Sequence, residues 1–123
     1  MDAQRRDQTA APVPTVRGGG PVTILDEITF ATDDVDGWLA RWRSEYAPAA
    51  QLRGLELVAL WAGGTRDPQR STVVIQWRIA SIRAFWESRQ AATADSRVAS
   101  FWAATDAIAV YRDRRVLRPL ELS

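Results

Sequence analysis

Residues 71–90, STVVIQWRIASIRAFWESRQ, decide the fold, because they predict a strand that passes through a tight turn into a helix. The apolar, β-branched residues 73–79 favour a strand, and Ser81 lies where the N-cap of a helix belongs. Apolar side chains then recur at helical spacing. Trp77 on the strand and Trp86 on the helix lie nine residues apart across the turn. We expect the rest of the chain to pack against this unit.

The flanking sequence predicts the other elements of a small α+β domain. A strand at 22–30, VTILDEITF, comes first, followed by a helix with a clean apolar stripe that ends at Pro48. A second strand at 55–61 and a turn-rich loop precede the unit described above. Beyond it, Ser96 can cap a further helix, Asp113 begins the last strand, and Pro119 confines that strand to a sheet edge or end.

The resulting order, β-α-β-β-α-(α)-β, is the ferredoxin-like split βαβ arrangement, with helices on one face of an antiparallel four-stranded sheet. The other face of such a sheet is open, and an apolar face does not stay in water. Two sheets closing on each other in a homodimer would cover it and enclose a cavity. Residues 21–123 form the predicted domain, and residues 1–20 read as a flexible N-terminal arm or an arm swapped onto a partner.

Composition excludes several kinds of chemistry. The 123 residues contain no His, Cys, Lys or Asn, and all 16 cationic side chains are Arg. Histidine bases, thiolate nucleophiles, Schiff-base lysines and Cys/His metal sites are therefore impossible. A net charge of +1 with interspersed signs argues against nucleic acid as a partner. No apolar run is long enough for a membrane span, and the missing signal peptide and cysteines fit a cytoplasmic protein.

Three segments, VTILDEITF, the helix after it and IQWRIASIRAFW, resemble the antibiotic-biosynthesis-monooxygenase-like group of dimeric α/β barrels. The resemblance covers roughly residues 22–122, and RRVLRPLEL looks like the closing strand of that group. It implies that a helix aromatic nine residues after the strand Trp lines a cavity, which is Trp86 here. Haem-degrading members use an Asn and a His, which this chain lacks at the matching positions, Ile28 and the region of Ser96. We therefore expect no cofactor and no metal.

The resemblance also implies a function for Asp26. If the Ile28 face of the first strand points into the barrel, Asp26 shares the cavity with Trp86, Ile24 and Phe30. The expected chemistry is cofactor-independent oxygenation or cyclisation of an aromatic, polyketide-like phenol. Asp26 would abstract the proton, Trp86 would pack the ring, and Arg78 would steady the oxyanion. Residues expected to contact the substrate are Ile24, Ile28, Phe30, Gln76, Trp61 and Tyr111.

Other interpretations of the same residues stay open. Asp26 could pair with an Arg across the dimer in a purely structural role, and Trp86 could be core packing, as helix tryptophans more often are. Gln76 and Arg78 lie on the strand face opposite Trp77, and the sequence does not say which face lines the cavity. The alternative function is a non-catalytic small-ligand-binding or accessory dimer. A third possibility is a cavity filled by the protein's own tryptophans, which leaves only a role in assembly.

Overall fold

The computed structural model describes residues 15–16 and 20–121, and these form the predicted split βαβ arrangement. The strands and helices follow in the order β1 (Thr15–Val16), β2 (Val22–Ala31), α1 (Val35–Arg41), α2 (Ala47–Leu52), β3 (Glu56–Gly64), β4 (Arg70–Ile79), α3 (Ile82–Thr93), α4 (Ser96–Ile108), β5 (Tyr111–Leu117) and β6 (Leu120–Glu121). The α+β class and the antiparallel four-stranded sheet are confirmed.

The main sheet has the strand order β3-β4-β2-β5 and is open in the single chain. All three pairings are antiparallel, and a bulge between Leu57 and Ala59 interrupts the register of β3 against β4. A separate two-stranded sheet joins β1 to β6. The prediction of a flexible arm lies largely outside the described residues and stays a prediction. Among the described residues no helix is long and apolar enough to cross a membrane.

The helix after β2 does not end at Pro48 as predicted but runs on to Leu52. A short 3₁₀ turn, Thr32–Asp34, leads into α1, and a π-helical turn, Trp42–Tyr46, joins α1 to α2. The N–H of Ala47 bonds to the carbonyl of Trp42, which is the wide spacing of a π turn. Pro48 then lies in the first turn of α2. A proline is tolerated there because the N–H groups of a first turn have no partner within the helix.

Two smaller predictions were also wrong. The N-cap of α4 is Asp95 rather than Ser96, because the Asp95 carboxylate accepts a hydrogen bond from the N–H of Arg97. The last strand begins at Tyr111, two residues before Asp113, because β5 continues its register along β2 as far as Thr29. The predicted cap of α3 is confirmed, since the Ser81 hydroxyl accepts a bond from the N–H of Ala84 at 3.0 Å.

The core lies between the sheet and the helices and is built largely from aromatic rings. Alternate residues of β2 and β4 face it, as the period of a strand requires. Trp38 contacts both Phe30 and Phe101, with ring centroids 5.0 and 5.8 Å apart. The Trp38 indole N–H also donates a buried hydrogen bond of 2.9 Å to the Thr105 hydroxyl, which fixes α4 against α1.

We expect Thr105→Val to lower the free energy of unfolding by about 1–3 kcal/mol, because the buried indole N–H of Trp38 loses its acceptor. Thr93→Val is the matched control. Both hydroxyls donate to the carbonyl four residues earlier in their helix, but Thr93 is exposed and accepts no indole bond. Urea unfolding of the two variants checks this, and equal losses would show that the indole bond contributes nothing.

Candidate functional site

Asp26 is a buried carboxylate in the middle of an apolar strand. Its side chain is only 3% exposed and points toward the helices from β2. Arg114 on β5 lies directly opposite in the register, so its guanidinium reaches the carboxylate along the same face. The Nε of Arg114 donates to Oδ1 at 2.6 Å and its Nη2 donates to Oδ2 at 2.8 Å. This bidentate geometry is the strongest form of an arginine–carboxylate pair.

Two aromatic side chains complete the network around this ion pair. The Trp77 indole N–H donates to the Oδ2 of Asp26 at 3.1 Å. The Tyr46 hydroxyl accepts a bond of 3.2 Å from the Nη2 of Arg114. Tyr46 reaches Arg114 from the π turn between α1 and α2, whose wider spacing changes the direction of the residues that follow. The network therefore joins β2, β4, β5 and the first helical segment, which runs from α1 through the π turn to α2.

The electrostatics favour the charged form of the ion pair. Burial lowers the pKa of the Arg114 guanidinium, but the hydrogen bonds and the charge of Asp26, with a smaller contribution from Tyr46, raise it further, so the pKa lies above its ordinary value. The Asp26 carboxylate accepts three hydrogen bonds and is almost inaccessible to solvent. Such a group is well suited to holding elements together and poorly placed to receive a substrate proton.

The space beside Asp26 on the helix side is filled by the protein's own rings. Trp42 contacts Trp77 with ring centroids 5.6 Å apart, and Tyr46 contacts Phe101 at 5.2 Å. These side chains are at most 3% exposed. The indole Nε1 of Trp42 is buried without a described hydrogen-bond partner. Trp38, Trp42 and Trp77 therefore all pack in the core.

The sheet separates the predicted site residues into two groups. Ile24, Asp26, Ile28 and Phe30 face the helices and are 2% exposed or less. Gln76, Arg78 and Trp61 lie on the other face, because Gln76 and Arg78 pair with Leu25 and Thr23 and Trp61 pairs with Val74. The structure therefore does not bring Asp26 and Arg78 into one cavity of a single chain.

The remaining two predicted residues lie apart from each other. Trp86 is 55% exposed on α3 and lines a surface depression with Arg89, Gln90 and Thr93, so it is neither core packing nor a neighbour of Asp26. The Arg89 guanidinium lies over its ring at 5.8 Å. Tyr111 is half exposed, begins β5 and pairs with Thr29, which places it on the open face of the sheet.

The open face of the sheet mixes exposed apolar side chains with charges. Trp61 is 60% exposed and Leu117 is 44% exposed. Arg115 lies between two carboxylates, at 3.0 Å from Glu27 and 4.0 Å from Asp113. The hydroxyls of Thr29 and Thr72 bond to each other at 2.8 Å. Among the described residues no three acidic side chains lie close enough to hold a metal ion.

Sequence reasoning missed Arg114 and Tyr46 as partners of Asp26. The signal that was available is the charge run RDRR at 112–115, which falls in a strand and so must place alternate charges on both faces. One of those charges faces the core and requires a buried counterion. The carboxylate at position 26 in an otherwise apolar strand is that counterion.

The comparisons with known proteins support the fold. No protein-family model matches the chain, and no curated protein matches it significantly. Among solved structures, a NIPSNAP family protein of unknown function from Agrobacterium tumefaciens is 16% identical with a TM-score of 0.67, over 88% of this chain and 96% of that one. A NIPSNAP domain protein from Burkholderia xenovorans is 14% identical, with a TM-score of 0.66 over 80% and 93% of the two chains.

A weaker structural similarity is to a protein described as belonging to the group that the sequence resembles. A protein from Nitrosomonas europaea, provisionally described as an antibiotic biosynthesis monooxygenase, is 9% identical with a TM-score of 0.54, over 89% of this chain and 95% of that one. At these identities the likeness shows the fold and no activity.

We expect Asp26→Asn to lower the free energy of unfolding by about 2–4 kcal/mol, because it leaves the Arg114 charge without its counterion. Glu27→Gln is the matched control. It is the next residue on β2, its ion pair with Arg115 is on the opposite face, and that pair is solvent-exposed. An exposed pair contributes about 0–1 kcal/mol. Urea unfolding compares the two variants, and losses of equal size would contradict a structural role for Asp26.

Proposed function

We propose that the chain is a homodimeric protein that binds a small, flat, apolar ligand on the open face of its sheet, without a catalytic role for Asp26. One observation carries this proposal. The helix side is closed by packed rings and a saturated ion pair, whereas the open face leaves the Trp61 ring 60% exposed. Ligand pockets combine apolar and aromatic walls with a few polar groups, and the open face offers that combination around Trp61.

The two edges of the sheet differ in a way that favours a second copy as the partner. The edge strand β5 carries four consecutive charged residues, 112–115, and such charges prevent edge-to-edge pairing. The other edge strand, β3, has a single charge at its first residue, Glu56, followed by the run LVALWA. A long apolar edge next to an exposed Trp is protected in natural proteins by being covered.

The charges of the open face are consistent with a self-complementary interface. The face carries the cations Arg78 and Arg115 and the anions Glu27, Glu56 and Asp113. A surface that meets itself across a twofold axis needs both signs, since a surface of one sign would repel its copy. The closed dimer would enclose Trp61, and a flat ring can stack on an indole.

We expect Trp61→Arg to weaken the dimer at least about 30-fold, because a buried Trp at an interface commonly contributes 2 kcal/mol or more. Binding of 2-naphthol should be lost with it. Sedimentation equilibrium measures the dimer, and isothermal titration calorimetry measures the ligand. Trp86→Arg is the control, since Trp86 is similarly exposed but lies on α3. A wild-type chain that remains monomeric at micromolar concentration, or equal effects of the two variants, would contradict the proposal.

A second candidate is the cofactor-independent oxygenation or cyclisation of a phenol. Its support is the fold shared with the Nitrosomonas europaea protein and the resemblance of the strand and helix sequences. In this function Asp26 must accept a proton, and for that a substrate must reach a carboxylate already bonded to Arg114 and Trp77. A rearrangement of the helices over β2 would be required first.

Oxygen uptake by metal-free protein supplied with anthrone separates the two candidates. Oxygenation consumes one dioxygen and gives the quinone and water. We expect no uptake above the protein-free rate, because Asp26 is inaccessible in the folded chain. Uptake that disappears in Asp26→Asn, with the fold intact by circular dichroism, would establish the oxygenase and contradict the binding role.

A further inference from the structure

One corner of the open face forms a depression of about 500 Å³ between β2, β4 and the end of β5. Arg78 and Leu117 flank Thr23 here, since both pair with it in the register. Arg118 follows Leu117 and lines the same depression, together with Pro21 and Pro119. Val22 also lines the depression, which thus combines two arginines and one threonine with four apolar residues.

The charges around this depression are unbalanced. No carboxylate is among the residues that line it in the described part of the chain. Glu56 contacts Arg78 from the neighbouring strand, but the distance is 3.5 Å and both side chains are more than half exposed. An exposed pair of this length contributes little and is easily exchanged for a better partner. The corner therefore presents positive charge toward a space that has apolar walls.

We propose that this corner binds the carboxylate of a small apolar acid, so that the ligand of the open face is an anion with a flat apolar body. This inference rests on the proposed function and names the chemical class of its ligand. The planar fork of Arg78 matches a carboxylate and can donate two parallel hydrogen bonds. Arg118 adds a second positive charge, and the Thr23 hydroxyl adds a further donor.

The apolar walls of the depression favour a carboxylic acid with an apolar body over an inorganic anion. Pro21, Leu117 and Pro119 would remain in water beside a bound phosphate, which gains nothing from them. An acid with an aromatic body covers these side chains. Arg78 lies on a central strand, which holds its backbone in place and favours specific recognition over a loose surface contact.

The test compares 2-naphthoate with 2-naphthalenemethanol, which has the same ring system and no charge. Isothermal titration calorimetry of the full chain should show naphthoate binding about 10-fold tighter, the value of one charge-assisted hydrogen-bond pair. Arg78→Gln and Arg118→Gln should each reduce this preference several-fold. Arg83→Gln, an exposed arginine on α3, should leave both affinities unchanged.

Each of the other outcomes contradicts either the inference of a carboxylate site or the proposed function. Equal affinities of the acid and the alcohol in the wild-type chain would overturn the inference and leave the proposed function standing. An acid preference that survives both Arg78→Gln and Arg118→Gln would also overturn it. Competition by inorganic phosphate at the same concentration as naphthoate would show a general anion site instead. If neither naphthalene compound binds the wild-type chain, the proposed function itself fails.

Discussion

The ion pair between Asp26 and Arg114 links the central strand β2 to β5, and two further hydrogen bonds link it to Trp77 and Tyr46. A carboxylate on the helix-facing side of the central strand β2 must have a counterion, because an unpaired buried charge is far too costly. The register that places Arg114 opposite Asp26 fixes β5 against β2. Through Trp77 and Tyr46 the same pair fixes β4 and the first helical segment. A one-residue slip of β5 would move Arg114 to the other face and place either Asp113 or Arg115 opposite Asp26.

The two faces of the sheet therefore differ in what they can do. The helix side holds the buried charge within a shell of aromatic rings, and those rings leave no space for a substrate. In the described part of the chain the open face has neither helices nor a saturated ion pair, and Trp61 and the corner of Arg78 are accessible. A fold that other proteins share is in this way compatible with a binding role that does not use its buried carboxylate.

The sequence predicted the order of the elements because each carries a local signal, as the strand and capped helix of residues 71–90 show. It also identified position 26 as unusual. It did not identify Arg114 as the partner, because 88 residues separate the two and all 16 cationic side chains are arginines. It placed the helix end at Pro48, because a π turn has no sequence signature of its own. The face that lines a cavity depends on packing between distant elements, and periodicity within one strand does not reveal it.

The six indole N–H groups offer the most direct measurement of the division between the two faces. A ¹H–¹⁵N spectrum recorded during titration with 2-naphthoate observes each of them separately. We expect the Trp61 signal to shift, while the signals of the buried indoles of Trp38, Trp42 and Trp77 keep their positions. Shifts of the Trp42 and Trp77 signals, with Trp61 unchanged, would place the ligand beside Asp26 and contradict the binding role of the open face.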